Sequence, residues 1–393
     1  MSETIKNEVL ALKDEMIDIR RDFHKYPELG MEEKRTPQVV ADLLGTYGLH
    51  VKTEVGKTGV VGLLEGSGPG KTVMLRADMD ALPIQEGNDK PFHSLTGGLM
   101  HACGHDGHMA ILLGAAKILS KHRDDFKGAV KFVFQPGEEG FAGARYMIDD
   151  GVMENPKVDA AFALHLGAYL PVGSVSARPG ATMASMDSFS LKIKGKGGHA
   201  AMPQEGADAL LMSAHVVSAL QSLISKEVSP TSPFILHMGT IHGGNAFNII
   251  AESVQIEGTV RTHDETLRNS IPERMNRLCN GITSGLGGSH ELDYRFGYPT
   301  LVNDGDMTAF FREVAKGILT EEKVGANPPI MASDDMAFFL EKAPGCYFNL
   351  GAANPEKGPY GPAHSSSFDF DEDALVVGAE IMAELALKYL KSP

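Results

Sequence analysis

Tryptophan is absent from the 393 residues, aromatic residues make up only 7%, and there are just three cysteines, Cys103, Cys279 and Cys346. None of the three sits in a CxxC pair and the number is odd, so a disulfide framework is not expected and reduced thiols are. No apolar run approaches the ~18 residues that a membrane-crossing helix needs. The opening stretch, MSETIKNEVLALKDEMIDIRRDFH, mixes acids and bases and lacks the apolar core of a secretory signal. A cytoplasmic protein is expected on both counts. Positive charge is scarce: 36 basic residues face 51 acidic ones, a formal net charge of −15. That balance argues against nucleic acid and anionic membranes as partners and leaves small molecules open. Internal repeats and low-complexity linkers are also missing.

What is present has the balance of an ordinary globular chain, at 42% hydrophobic and 22% charged residues. Its length suits two or three domains. Val9, Leu12, Met16, Ile19 and Phe23 recur at helical steps and stop before Pro27. A second helical stretch covers 36–47. Strands then alternate with helices: strands at 59–66, 72–78, 129–135 and 159–165, helices at 105–121 and 141–150. This alternation predicts an α/β fold with a mixed, largely parallel sheet and helices on both faces. From 186 the order becomes strand 187–194, helix 207–225, strands 234–241 and 252–261, helix 264–285 and strand 290–296. That is the β-α-β-β-α-β order of a ferredoxin-like α+β unit, with Pro272 awkward inside its second helix. It reads as an insertion at 186–296 between two parts of one domain, 1–185 and 297–393. Residues 345–351 look like a core strand and 371–391 like a closing helix.

Four clusters carry chemistry. HACGHDGH (101–108) sets Cys103 and His105 two residues apart in a glycine-broken turn before a helix, where a thiolate is favoured. QPGEEG (135–140) places Glu138 and Glu139 directly after a buried strand, so that one carboxylate can bind a metal while its neighbour faces a substrate as general base. His165 ends a third strand, and His364 lies in the loop GPAHSSSF. RADMDALP (76–83) follows a further strand, and Asp78 is the candidate for orienting a ligating histidine; Asp80 reads nearly as well as a turn cap. In open α/β sheets ligands bind beyond the carboxyl ends of strands, and these clusters share that edge. Cys103, His105, Glu139, His165 and His364 together offer S, N and O donors for two divalent ions. Thiolate and imidazole favour zinc, while carboxylate-rich pairs accept manganese, cobalt or nickel.

With these motifs in view, the sequence resembles the metallo-amidohydrolases of metallopeptidase family twenty, which include aminoacylases, hippurate hydrolases, auxin-conjugate hydrolases and carboxypeptidase G. FHKYPELGMEE (23–33), RADMDALP, MHACGHDGH, QPGEEG, ALHLG (163–167), GKGGHAAMP (195–203), GGNAFNII (243–250), EGTVR (257–261) and ASDDMAFF (332–339) carry the resemblance. The Cys103/His105 form of the metal motif is similar to the hippurate and auxin-conjugate branch.

The resemblance implies that Cys103, His105, Glu139, His165 and His364 bind metal and that Glu138 activates water and protonates the leaving amine. It also implies that His199 steadies the oxyanion in a neighbouring subunit's site, and that Asn248 and Arg261 hold the substrate carboxylate or carbonyl. The insert would be a lid that also forms a homodimer, with higher oligomers open. The expected substrate is an N-acyl amino acid (acetyl, benzoyl or a related conjugate) or a short peptide. SDDM (333–336) departs from the SED-plus-aromatic pattern of the family, which bears on specificity. A metallo-dipeptidase or carboxypeptidase with the same chemistry is the runner-up, and a silent binding homologue is the remote one. A zinc dehydrogenase lacks the expected GxGxxG.

Overall fold

The computed structural model describes residues 2–358 and 360–392, and every count below refers to them. They form two compact units. The first comprises Met1–Gly180, Val302–Pro328 and Asp335–Pro393, and the second Ala181–Leu301 with Pro329–Asp334.

The first unit is built on an eight-stranded sheet. Its leading strands are β1 (His50–Val55), β2 (Gly59–Glu65), β3 (Thr72–Asp78), β4 (Ala129–Gln135) and β5 (Ala160–Pro171). The order is β1-β2-β4-β3-β5, followed by the strands Gly345–Ala353, Val175–Ser176 and Val324–Gly325. Neighbours β4, β3, β5 and Gly345–Ala353 run parallel, while β1, β2 and β4 pair antiparallel. β3 and β4 are buried along their whole length, as a central parallel strand requires. Phe132, Phe134, Val73, Leu75, Phe162 and Phe348 fill the core, each burial worth roughly 1.5–3 kcal/mol. The helix His105–Lys121 is buried almost throughout, against the helices Lys13–Lys25 and Asp373–Lys391.

The second unit has a four-stranded antiparallel sheet in the order Phe234–Gly243, Ser253–Thr262, Met186–Lys194, Ser289–Tyr298. With the helices Ala209–Lys226 and Glu265–Gly285 this is the ferredoxin-like order. Pro272 neither delays nor ends its helix, which continues from Glu265 to Gly285 behind an Asp264 N-cap. Ala209–Lys226 is long and apolar enough to cross a membrane by length and composition. It lays Met212, Val216, Leu220 and Leu223 into the core of its own unit at helical spacing.

Candidate active site

Four neighbouring parallel strands deliver chemistry to one edge of the large sheet. Asp78 ends β3, Glu138 and Glu139 lie in the turn after β4, His165 lies in β5, and the loop bearing His364 follows the strand Gly345–Ala353. His105 opens its helix behind Gly104, whose φ of 91° suits a residue without a Cβ.

The imidazoles are held in defined tautomers. His105 Nδ1 lies 2.7 Å from the Asp80 carbonyl, which can only accept, so Nδ1 carries the proton. His105 Nε2 is buried and without a hydrogen-bond partner, and in the neutral ring it offers a lone pair. His165 repeats the device, with Nδ1 2.9 Å from the Leu166 carbonyl and Nε2 3.3 Å from Cys103 Sγ. His364 has a φ of 64°, donates its backbone N–H to the Ala102 carbonyl at 2.8 Å, and brings Nε2 to 3.1 Å from Glu139 Oε1. That approach lacks hydrogen-bond geometry, leaving the buried Glu139 Oε1 without a partner.

His108 is different. The Leu166 N–H donates to its Nε2 at 2.9 Å, so Nδ1 donates to Asp78 Oδ1 at 2.6 Å. Both ring nitrogens are engaged and burial lowers its pKa against the pull of Asp78. It is a neutral strut.

Donor atoms of Cys103, His105 and His165, of Cys103, Glu139 and His364, and of His105, Glu138 and Glu139 lie within 4.8 Å of one another in each set. Two unpartnered buried lone pairs, each costing roughly 1–3 kcal/mol if left so, are what a bound cation would satisfy. The donor set of one thiol, three imidazoles and carboxylates therefore fits divalent metal. Electrostatics point the same way. Burial alone would push the Cys103 thiol up, but the charge of His165 and the surrounding imidazoles of His105, His165 and His364 bring it down to about 6. Burial would lower His165, yet Cys103 raises it to about 9.

Beneath this set lie two buried charge networks. Arg76 donates to Gln135 at 2.8 Å, Asp78 at 2.7 Å and Asp335 at 3.0 Å. Burial pushes Asp78 up, but His105, Arg76 and His108 hold it well below the usual carboxylate range. Asp78 thus orients His108, while the ring N–H of His105 goes to the Asp80 carbonyl. The expectation that Asp78 orients a ligating histidine has no hydrogen bond behind it: its oxygen is 3.7 Å from His105 Nε2. Asp335, from the divergent SDDM stretch, is a buried anchor that also accepts from Gln135 and the Ala144 N–H. In the second network Arg20 lies 4.7 and 4.4 Å from the Phe92 and Phe370 ring centres and donates to Asp106 and Asp369, both at 2.8 Å. His24 bridges Asp106 at 2.8 Å and Glu86 at 3.2 Å. Asp106 follows His105 and accepts from the Gly107 N–H, so the network braces the helix start. Sequence reasoning missed Arg20, His24, Asp106 and His108; for Arg20 the available signal was a charge on the otherwise apolar helical face at 9–23.

His199, Asn248 and Arg261 belong to the second unit. His199 pairs with Ile249, and the Ala200 N–H donates to the Asn248 carbonyl at 3.1 Å, so His199 and Asn248 are close. His199 is exposed. Arg261 donates to the Met331 carbonyl at 3.0 Å, and burial lowers its pKa.

Thiolate, imidazole and carboxylate donors gathered at this edge of an open α/β sheet define a metallohydrolase class. The family model described as peptidase family M20/M25/M40 matches residues 74–388. The chain belongs to that family, whose relatives are named as hydrolases. It is 41% identical over 391 residues to thermostable carboxypeptidase 1 of Saccharolobus solfataricus, covering 98% of each chain. It is 39% identical over 385 residues to IAA-amino acid hydrolase ILR1-like 2 of Arabidopsis thaliana, covering 96% of this chain and 86% of the relative. Among solved structures it is similar to the Bacillus subtilis YXEP protein, described as a dinuclear metal binding peptidase. The TM-score is 0.85 at 33% identity, covering 98% of this chain and 99% of that one.

Proposed function

We propose that this hydrolase cleaves the amide bond of N-acyl amino acids to a carboxylate and a free amino acid. Cys103, His105, Glu139, His165 and His364 would hold two divalent ions, zinc or manganese by donor chemistry, with cobalt or nickel as alternatives. Such ions supply Lewis acidity that polarises an acyl carbonyl and acidifies water. The observation that carries the reading is the Glu138–Glu139 turn, which sets a second carboxylate beside the donor set (His105, Glu138 and Glu139 within 4.8 Å).

Glu138 takes the proton of the attacking water on a carboxylate oxygen and hands it to the departing nitrogen. His199 reaches the site of a neighbouring subunit and donates there to the developing oxyanion. Asn248 and Arg261 hold the carbonyl and the carboxylate of the amino acid, Arg261 as a bidentate pair. Residues 186–296 act as the lid and as the surface of a homodimer. The free, buried cysteines support a cytoplasmic location. The carboxypeptidase name of one relative favours a second reading, cleavage of peptides by the same chemistry.

The test is amine release from a panel of N-acyl amino acids and dipeptides by metal-loaded protein, with Glu138→Gln as control. The expected result is release from N-acyl amino acids that the variant lowers by about 10³-fold or more with metal content unchanged. Faster release from dipeptides selects the peptidase reading. Unimpaired turnover by Glu138→Gln removes Glu138 as the base.

A further inference from the structure

We propose that Glu33 is a positioning residue for Glu138: its buried carboxylate, together with that of Asp80, holds the backbone of the turn that carries the base. This rests on the reading of Glu138 as the base.

Three successive backbone N–H groups of the turn point at carboxylate oxygens. Gly137 donates to Glu33 Oε1 at 3.3 Å, Glu138 to Asp80 Oδ1 at 2.9 Å, and Glu139 to Asp80 Oδ2 at 2.9 Å. Two residues from distant parts of the chain thus fix the segment from which the proposed base and a proposed metal ligand project. Asp80 does more, since its own carbonyl orients His105. One residue therefore ties the turn to the imidazole, and Glu33 backs the turn from the other end.

Glu33 is only 1% exposed. Its remaining side-chain hydrogen bond is from Thr58 Oγ1 at 2.6 Å. Among the described residues it accepts from Thr58 and Gly137, and the charge of Asp80 opposes its ionisation. A buried carboxyl group without a cation costs stability, so ion pairing does not explain its presence. Burial, with the charge of Asp80 added, pushes its pKa up to about 7.

The close approach is built in. A Cβ on Gly30 would stand 2.8 Å from Gly137 Cα, 2.9 Å from Phe141 Cδ2 and 3.0 Å from Asp80 Oδ2. Only glycine lets the PELGMEE segment press against the turn. Glu33 holds the N–H of Gly137, directly before Glu138, while Asp80 still holds those of Glu138 and Glu139, so loss of Glu33 moves Glu138 more than Glu139. Misplacement of about 1 Å costs on the order of 10²-fold in rate.

The experiment compares Glu33→Ala and Glu33→Gln with the unaltered protein, all metal-loaded, on an N-acyl amino acid. Glu33→Ala should lower kcat by about 10–100-fold with KM and metal content little changed and the protein fully folded at the assay temperature. Glu33→Gln, whose amide oxygen still accepts from Gly137, should restore most of the loss. Amide hydrogen exchange over 137–139 should be faster in Glu33→Ala than in Glu33→Gln, and the same should hold in metal-free protein. Thr58→Val, which removes the donor to Glu33, should move both readouts less and in the same direction; it serves if Glu33→Ala does not fold. Unchanged kcat with unchanged exchange overturns the proposal, as does a rate loss that follows metal content or melting. If the unaltered protein hydrolyses none of the substrates, the functional reading fails while the exchange comparison still decides the role of Glu33.

Discussion

At the scale of single residues, a buried carboxyl with no cation beside it works against the fold once it ionises. Glu33 has its pKa raised from an ordinary 4.5 to about 7, chiefly by burial. Between those values the folded chain keeps a proton that the unfolded chain has lost, so stability falls as pH rises through this window. Below it both states are protonated, and above it the loss is complete, on the order of 3 kcal/mol. Urea unfolding from pH 4.5 to 8 should therefore show a steeper decline for the unaltered protein than for Glu33→Gln; parallel curves would refute the raised pKa. Cys103 presents the opposite case, an anion favoured despite burial. Cys103→Ser should weaken metal binding by more than the ~10–100-fold typical of outer partners of a ligand, read by metal analysis after dialysis. Full retention would remove Cys103 from the donor set. Cys103 and His105 were legible because spacing and residue type mark them. The clamp by Asp80 and Glu33 was not, because its partners are backbone N–H groups, which carry no mark in a sequence.

At the scale of elements, the buried parallel strands stood out as short apolar runs, and β3 and β4 lie where those runs are. β5 extends to Pro171, well past the residues 159–165 read as strand, because pairing with Gly345–Ala353 continues beyond the apolar stretch. β1 was missed: HVKTEV is polar and mostly exposed, and only its pairing with β2 makes it a strand. The first helical stripe is two helices, Ser2–Ala11 and Lys13–Lys25, whose common apolar face hides the break at Leu12. Lys131 looks like an error in the apolar strand β4. Its ammonium donates to the carbonyls of Val152, Glu154 and Pro156 at 2.6, 2.9 and 2.9 Å, tying down the segment that leads into β5. Lys131→Met fits the strand but strips three carbonyls of their donor. It should cost roughly 3 kcal/mol in denaturant unfolding with kcat unchanged. A loss below about 0.5 kcal/mol would mean that water replaces the ammonium there.

At the scale of the whole molecule, the five proposed ligands come from four places in the chain, 103–105, 139, 165 and 364, all within the first unit. The second unit has its own core of Leu191, Ile193, Val216, Leu220, Ile256 and Met275 and contributes no donor to that set. A ligand stabilises only the structure it binds, by about 2.7 kcal/mol per ion at a hundredfold excess over its Kd. Removal of metal should therefore act on one cooperative unit and spare the other. Calorimetry of metal-loaded protein, repeated after chelation, should show one transition falling by several degrees and the other staying in place. Cys103→Ser should shrink that shift without touching the second transition. Should both transitions move together, either a donor outside the five is needed or the two units unfold as one.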